Sequence, residues 1–304
     1  MASVIVPSHG GAQRLPVLLE ALAQQDFAEP WEVLVVVDGV VDETSERVSE
    51  FAARLPLRSL VAEEPQGPIA ALNAGYGAAR GEVLIRLADD LTPDPGFVRR
   101  HVAWHEGRED LAVIGLAREL YPPTAFARAY GIEQDEELRQ HAYARGEDSL
   151  WTLWGPNTSL HRGAWAKVGG FDVGLPLGHD ADFGWRLREA GIRFLVDPEL
   201  ETERRSPPAT AAVCVARAFT EGAARKYVEL AHPDARWPAP DPEPSRMHTT
   251  SVRFVARRLR TAERFQRAAR VLDRSLPRMP LRLGHRSVEI LEDSARRAGH
   301  LRVR

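Results

Sequence analysis

Residues 3–118 predict an α/β fold, a mainly parallel sheet flanked by helices. Two observations carry this. Short β-rich runs alternate with helical patterns, and the runs are apolar at nearly every residue, as in strands covered on both faces. A third observation concerns use: Asp38 and Asp89-Asp90 stand at the carboxyl ends of such runs, where α/β sheets gather their ligands.

The elements follow in order. Ser3–Pro7 reads as a strand, and Leu15, Leu18, Leu19 and Leu22 then fall at helical spacing up to Gln25. Trp31–Val37 is a second strand, followed by a helix over Thr44–Leu55. Ser59–Ala62 is a third strand, and Pro68–Ala79 a helix with proline in its first turn. Glu82–Leu87 is a fourth strand, then come a helix over Pro95–His105 and a fifth strand at Ala112–Leu116. The stretch 120–162 is less regular. After it come an amphipathic helix over Asp180–Ala190, an apolar run Phe194–Val196, a break at Pro207-Pro208 and a helix over Thr210–Leu230. In the tail, Val255, Leu259, Ala262, Phe265, Ala269, Leu272 and Leu276 keep one helical stripe, and a shorter helix around Val288, Leu291 and Ala295 follows. The domains read as 1–232, with halves of about 1–118 and 119–232, then a proline-rich linker 233–244 and a helical extension 245–304.

The 304 residues, 44% hydrophobic, are enough for one large or two ordinary domains. No apolar run reaches the roughly eighteen residues of a membrane span. The N-terminus lacks a basic region and reads as a strand, not a signal peptide. Cys214 is the only cysteine, so no intrachain disulfide or cysteine metal cluster forms, and a reducing cytoplasm is the expected home. Charge is uneven. Residues 245–304 hold sixteen arginines, no lysine and five acidic residues, a formal +11, which leaves −14 on the first 244. The basic helices would dock on protein, as part of the chain or as a homodimer, or make peripheral contact with the inner membrane face. No nucleic-acid module is present.

Four segments stand in a telling order: Val4-Ile5-Val6-Pro7-Ser8-His9, Val36-Val37-Asp38-Gly39, Arg80-Gly81-Glu82 through Asp89-Asp90, and Gly178-His179-Asp180-Ala181-Asp182. Gly67-Pro68 through Gly75 and Asn157 through Asp172 support them. Together, over residues 3–205, they resemble glycosyltransferase family 2. That resemblance implies the GT-A fold and inverting transfer from a nucleotide-sugar donor (UDP, dTDP or GDP type) to an acceptor that the sequence does not reveal.

A carboxylate such as Asp38 can accept the ring N–H of uracil, thymine or guanine. The resemblance assigns the donor nucleotide to Pro7, Ser8, His9, Asp38, Gly67, Asn73 and Asp89. Adjacent carboxylates at a strand end repel without a cation, so Asp89-Asp90 point to Mg²⁺ or Mn²⁺. By resemblance Asp90 ligates the metal, with Asp89 assisting. The family's usual Asp-x-Asp is here Ala88-Asp89-Asp90, and its later histidine is missing from Glu201-Thr202-Glu203-Arg204-Arg205. Glu201 or Glu203 would substitute, or Arg204 and Arg205 would neutralise the phosphates directly. Asp180 is the candidate general base, a role compatible with capping a helix. His179, Asp182, Trp154 and Asn157 are the candidate acceptor side, although Trp151 and Trp154 also fit a core. A nucleotidyltransferase and a non-catalytic binding protein of the same fold are the alternatives. The first would need an early basic glycine-rich loop, and His9-Gly10-Gly11-Ala12-Gln13-Arg14 carries little basic charge.

Overall fold

A computed structural model describes residues 1–205, 208–238 and 245–303. The strands are β1 (Ala2–Ser8), β2 (Trp31–Asp38), β3 (Leu57–Ala62), β4 (Val83–Leu87), β5 (Leu91–Thr92), β6 (Leu111–Ile114), β7 (Ala117–Glu119), β8 (Asn157–His161), β9 (Arg193–Val196) and β10 (Thr202–Arg204). The helices are α1 (Leu15–Leu22), α2 (Thr44–Ser49), α3 (Pro68–Ala78), α4 (Phe97–Trp104), α5 (Ile132–Tyr143), α6 (Arg162–Val168), α7 (His179–Glu189), α8 (Ala211–Ala231), α9 (Arg246–Leu259), α10 (Ala262–Ser275) and α11 (Leu281–Arg302). Pro207 of the expected break and residues 239–244 of the expected linker lie outside the described residues.

The chain forms two compact units. The first comprises Met1–Arg118, Arg145–Gly174 and His179–Arg205. Its seven-stranded sheet runs β3-β2-β1-β4-β8-β6-β9. β3, β2, β1 and β4 are parallel, and β8 is antiparallel to both β4 and β6. The expected parallel half is therefore present, with one strand that the sequence reading did not foresee. β8 reads Asn-Thr-Ser-Leu-His, a polar run without strand periodicity, yet four of its five residues are buried. Its polar groups are satisfied sideways. Asn157 Nδ2 donates to Leu200 O at 2.8 Å, and so its Oδ1 must accept from His101 Nε2–H at 3.1 Å. His101 Nδ1 then accepts from the Ser159 hydroxyl, whose oxygen accepts from His105 Nε2–H, both at 2.8 Å.

The core of this unit is built from Val4, Val6, Leu15, Leu18, Leu19, Leu22, Val33, Val35 and Ile85 with their neighbours. Helix α3 approaches the sheet through Gly75, where a Cβ would lie 2.6 Å from Ile5 Cγ2. β5 and β10 pair antiparallel and share a small sheet with β7, which brings Glu203 and Arg204 beside Thr92 and Leu91.

The second unit comprises Glu119–Ala144, Leu175–Gly178 and the chain from 206 onward. Its core joins Phe126 and Tyr130 to Val215, Phe219, Phe265, Ala269, Val288 and Ala295. The apolar stripe of the tail is thus covered within its own unit, as helix stability in water requires. It is not one helix. Arg260 takes φ +60 and Thr261 caps a new helix, with its side chain accepting from Arg264 N–H. The last helix, expected to be short, has 22 residues. Gly222 of α8 and Gly299 of α11 let these helices touch backbone to backbone: a Cβ at Gly222 would fall 1.8 Å from Arg296 O, and one at Gly299 1.9 Å from Phe219 O. Among the described residues no helix is long and apolar enough to cross a membrane.

Candidate active site

The carboxyl ends of β1, β2 and β4 are neighbours in the sheet, so Ser8, Asp38 and the Asp89-Asp90 pair share one edge. Asp38 is 5% exposed. Its carboxylate accepts the backbone N–H of Gln66 at 2.6 Å and of Gly67 at 2.9 Å, which ties β2 to the start of α3. Gly67 adopts φ +94 there, a conformation that favours glycine. His9 Nδ1–H donates to Asp38 O at 2.6 Å.

Asp89 carries three donated bonds. Ser8 Oγ–H gives one at 2.6 Å, and Arg14 gives two, from Nε at 3.0 Å and Nη2 at 2.8 Å. The Asp89 bond raises the Arg14 pKa, outweighing burial. Gly11 packs under this cluster, where a Cβ would sit 2.0 Å from Ser8 Oγ. A chain of contacts therefore runs from Asp38 through His9 and Arg14 to Asp89, since Arg14 Nη2 also donates to His9 O at 3.0 Å.

Asp90 faces a different cation. Arg204 Nε lies 3.3 Å from its Oδ2, and Arg205 N–H donates to its carbonyl at 3.3 Å. Glu203 is turned to Arg118 at 2.6 Å and Arg205 at 3.7 Å, and Glu201 stands 3.7 Å from Arg118. Among the described residues no group of three or more His, Cys, Asp or Glu is arranged to hold a metal.

Asp180 lies in the first turn of α7, half-exposed, with Arg86 of β4 against both carboxylate oxygens. His179 opens the same helix and is half-buried. Asp182 points inward, 2% exposed and bound by Arg186 at 2.7 and 2.9 Å. Trp154 packs between Phe183 and Phe194, 3% exposed, and Asn157 is spent on the β8 network. These three were read as acceptor-side residues. All three are buried. Asn73, read as donor-side, exchanges two bonds with Phe171, at 2.9 Å to its O and 2.8 Å from its N.

Arg14 and Arg86 were missed as site residues. The sequence held one signal: Arg86 is the lone charge in the apolar run Val83-Leu84-Ile85-Arg86-Leu87.

The sequence model described as "Glycosyl transferase family 2" matches residues 3–169, more than half of the chain. The chain belongs to glycosyltransferase family 2. Membership sets aside the nucleotidyltransferase alternative. Among relatives in the family, the uncharacterized glycosyltransferase YfnE of Bacillus subtilis is 35% identical over 146 residues, covering 48% of this chain and 36% of its own. Validoxylamine A glucosyltransferase of Streptomyces hygroscopicus subsp. jinggangensis is 27% identical over 227 residues, 66% of this chain and 54% of its own. The chain thus spans a third to a half of these relatives' lengths. In fold it is similar to the mannosyltransferase PcManGT from Pyrobaculum calidifontis, solved with GDP-Man and Mn²⁺, at TM-score 0.62 and 19% identity, covering 97% of this chain and 85% of that one. Staphylococcus aureus TarS 1-349, solved with UDP-GlcNAc, matches at TM-score 0.54 and 16% identity over 95% and 90%. These likenesses bear out the GT-A fold expected for the family.

Proposed function

We propose that the chain transfers a sugar from a nucleoside diphosphate donor to a hydroxyl or similar nucleophile, inverting the anomeric carbon. The observation that supports this best is the set of four carboxylates along one sheet edge and its neighbouring helix. Asp38, Asp89 and Asp90 follow β2 and β4, and Asp180 is bonded to β4 through Arg86. Structural neighbours solved with GDP-Man and UDP-GlcNAc support a nucleotide-sugar donor.

In this reading Asp38 keeps lone pairs beyond the two N–H bonds it accepts, and takes the ring N–H of the base. Pro7, Ser8, His9, Gly67 and Asp89 line the nucleotide, with Asp89 held at the ribose side by Ser8 and Arg14. Asp180 removes the acceptor proton as the acceptor oxygen attacks opposite the leaving phosphate. His179 touches the acceptor.

Asp89 is committed to three donors and Glu203 to two arginines, whereas Asp90 meets Arg204 at 3.3 Å, so a divalent cation would be held through Asp90, with diphosphate oxygens and water supplying the rest of its shell, as Mg²⁺ commonly takes. When bound, such an ion supplies Lewis-acid neutralisation of the departing nucleoside diphosphate. Arg204, 3.3 Å from Asp90, adds positive charge at the same edge. We place the reaction in the cytoplasm, with the basic tail helices meeting a second copy or the inner membrane face.

The test is release of nucleoside diphosphate from a panel of UDP-, GDP- and dTDP-sugars with Mg²⁺ or Mn²⁺. Turnover of one donor class is expected. Binding of a donor without turnover of any would return the chain to the non-catalytic reading.

A further inference from the structure

Strand β4 is apolar at every residue but one. Arg86 sits between Ile85 and Leu87, with its side chain 12% exposed, and pairs with Asp180, whose side chain is 38% exposed. Its guanidinium lies 5.8 Å from the centre of the Phe171 ring, and Tyr76 of α3 packs edge-on against that same ring at 5.7 Å. Phe171 is itself fixed by the two bonds with Asn73. The arginine therefore stands in a rigid seat, while the carboxylate that it grips faces solvent.

A fold gains little from such a pair. Taking a charge out of water costs more than the attraction to a half-hydrated partner returns, and an apolar residue of similar volume often serves as well. What the pair does provide is direction. Two guanidinium N–H groups, one to each oxygen, fix the plane of the carboxylate, and a fork of this kind orients better than a point charge. Arginine also stays protonated throughout the working range, so it does not exchange protons with the group that it holds. Burial alone would lower the Arg86 pKa, and the charge and hydrogen bond of Asp180 outweigh it. Arg86 from β4 and Tyr76 from α3 both interact electrostatically with Asp180.

We infer that Arg86 is a positioning residue: anchored in the sheet, it holds the Asp180 carboxylate in the plane needed to receive the acceptor proton. This rests on the reading of Asp180 as the base. Asn73 then belongs to the same assembly, since it holds the backbone of Phe171, against whose ring Arg86 lies.

The test is a double-mutant cycle on the full chain, using the donor that turns over in the panel above and its nucleoside diphosphate as the binding probe. Arg86→Met should lower kcat by roughly ten- to a hundredfold, the scale of a misplaced catalytic group. Nucleoside diphosphate binding should stay within about twofold of wild type, and the thermal midpoint should hold, because Asp180 can be hydrated where it stands. Arg86→Lys, with one charge and no fork, should fall between. In an Asp180→Asn background Arg86→Met should cost nothing further, because a residue acting only through Asp180 has nothing left to position. If Asp180→Asn is slow while Arg86→Met or Arg86→Lys turns over at the wild-type rate, the inference is overturned and the base reading stands. Losses that multiply in the double variant also overturn it, because Arg86 then acts elsewhere. A wild-type rate in Asp180→Asn removes the base reading, and this inference with it. Should Arg86→Met fail to fold, the lysine variant alone decides.

Discussion

Asp89 and Asp90 are adjacent in sequence and have separate lives in the fold. Asp89 is 12% exposed in its side chain and held by Ser8 and Arg14; Asp90 looks toward Arg204. Removing Arg14 strips two charge-assisted bonds from a poorly hydrated carboxylate. Arg14→Met should cost about 1–2 kcal/mol in urea unfolding, the low side for such bonds because Arg14 is itself half-exposed. Asp90→Ala should remove nearly all turnover, and excess chelator should do the same to the native enzyme. Full turnover in chelator would shift the work to Arg204 and Arg205. The acidic half of this site was legible in the sequence because carboxylates at strand ends announce themselves. The basic half was not: Arg14 finds Asp89 across 75 positions and Arg86 finds Asp180 across 94, and no local pattern encodes such pairs.

At the scale of elements, β8 has the clearest consequence. Burial pushes His101 down to about 3 and His105 down to about 4, so both are neutral in the folded chain. The unfolded chain takes up protons on these rings below about pH 6.5. Their contribution to stability is therefore complete above that pH and is lost as pH falls from 6.5 toward 4. Between pH 6.5 and 5 the loss should be roughly 2–4 kcal/mol by denaturant unfolding, and a His101→Gln/His105→Gln variant should show a flatter profile. Equal slopes would contradict the neutral network. Parallel strands and amphipathic helices were readable because burial imposes period and apolarity. A strand whose polar groups are satisfied by His101 of α4 and by His105 just past its end leaves neither mark. The crossing of α8 and α11 was equally silent, since glycine in a helix reads as a weakness until its partner is known. Gly222→Ala should force the two backbones apart and lower the thermal midpoint by several degrees or more, as overpacking does.

Across the whole molecule, the uneven charge remains the sequence feature with the widest reach. α8 shares its core with α9, α10 and α11, so Val215 and Phe219 depend on the tail for cover. A chain ending at 244 should thus lose solubility, which light scattering would register; an equally soluble truncated chain would contradict this packing. The outer surface of α9 leaves Met247 and Phe254 exposed among Arg246, Arg253, Arg257 and Arg258. If this face meets the membrane, the full chain should sediment with anionic vesicles at low salt and release as salt screens the arginines; if it meets a second copy, the mass in solution should double without lipid. The central claim lies in the first unit, and Asp180→Asn tests it most directly. Calorimetry and nucleoside diphosphate release would be measured side by side on the wild-type and variant proteins with the same nucleotide-sugar. The expected result is unchanged donor binding with turnover reduced by roughly a hundredfold. Turnover at the wild-type rate, or donor binding lost together with it, would contradict a base at Asp180.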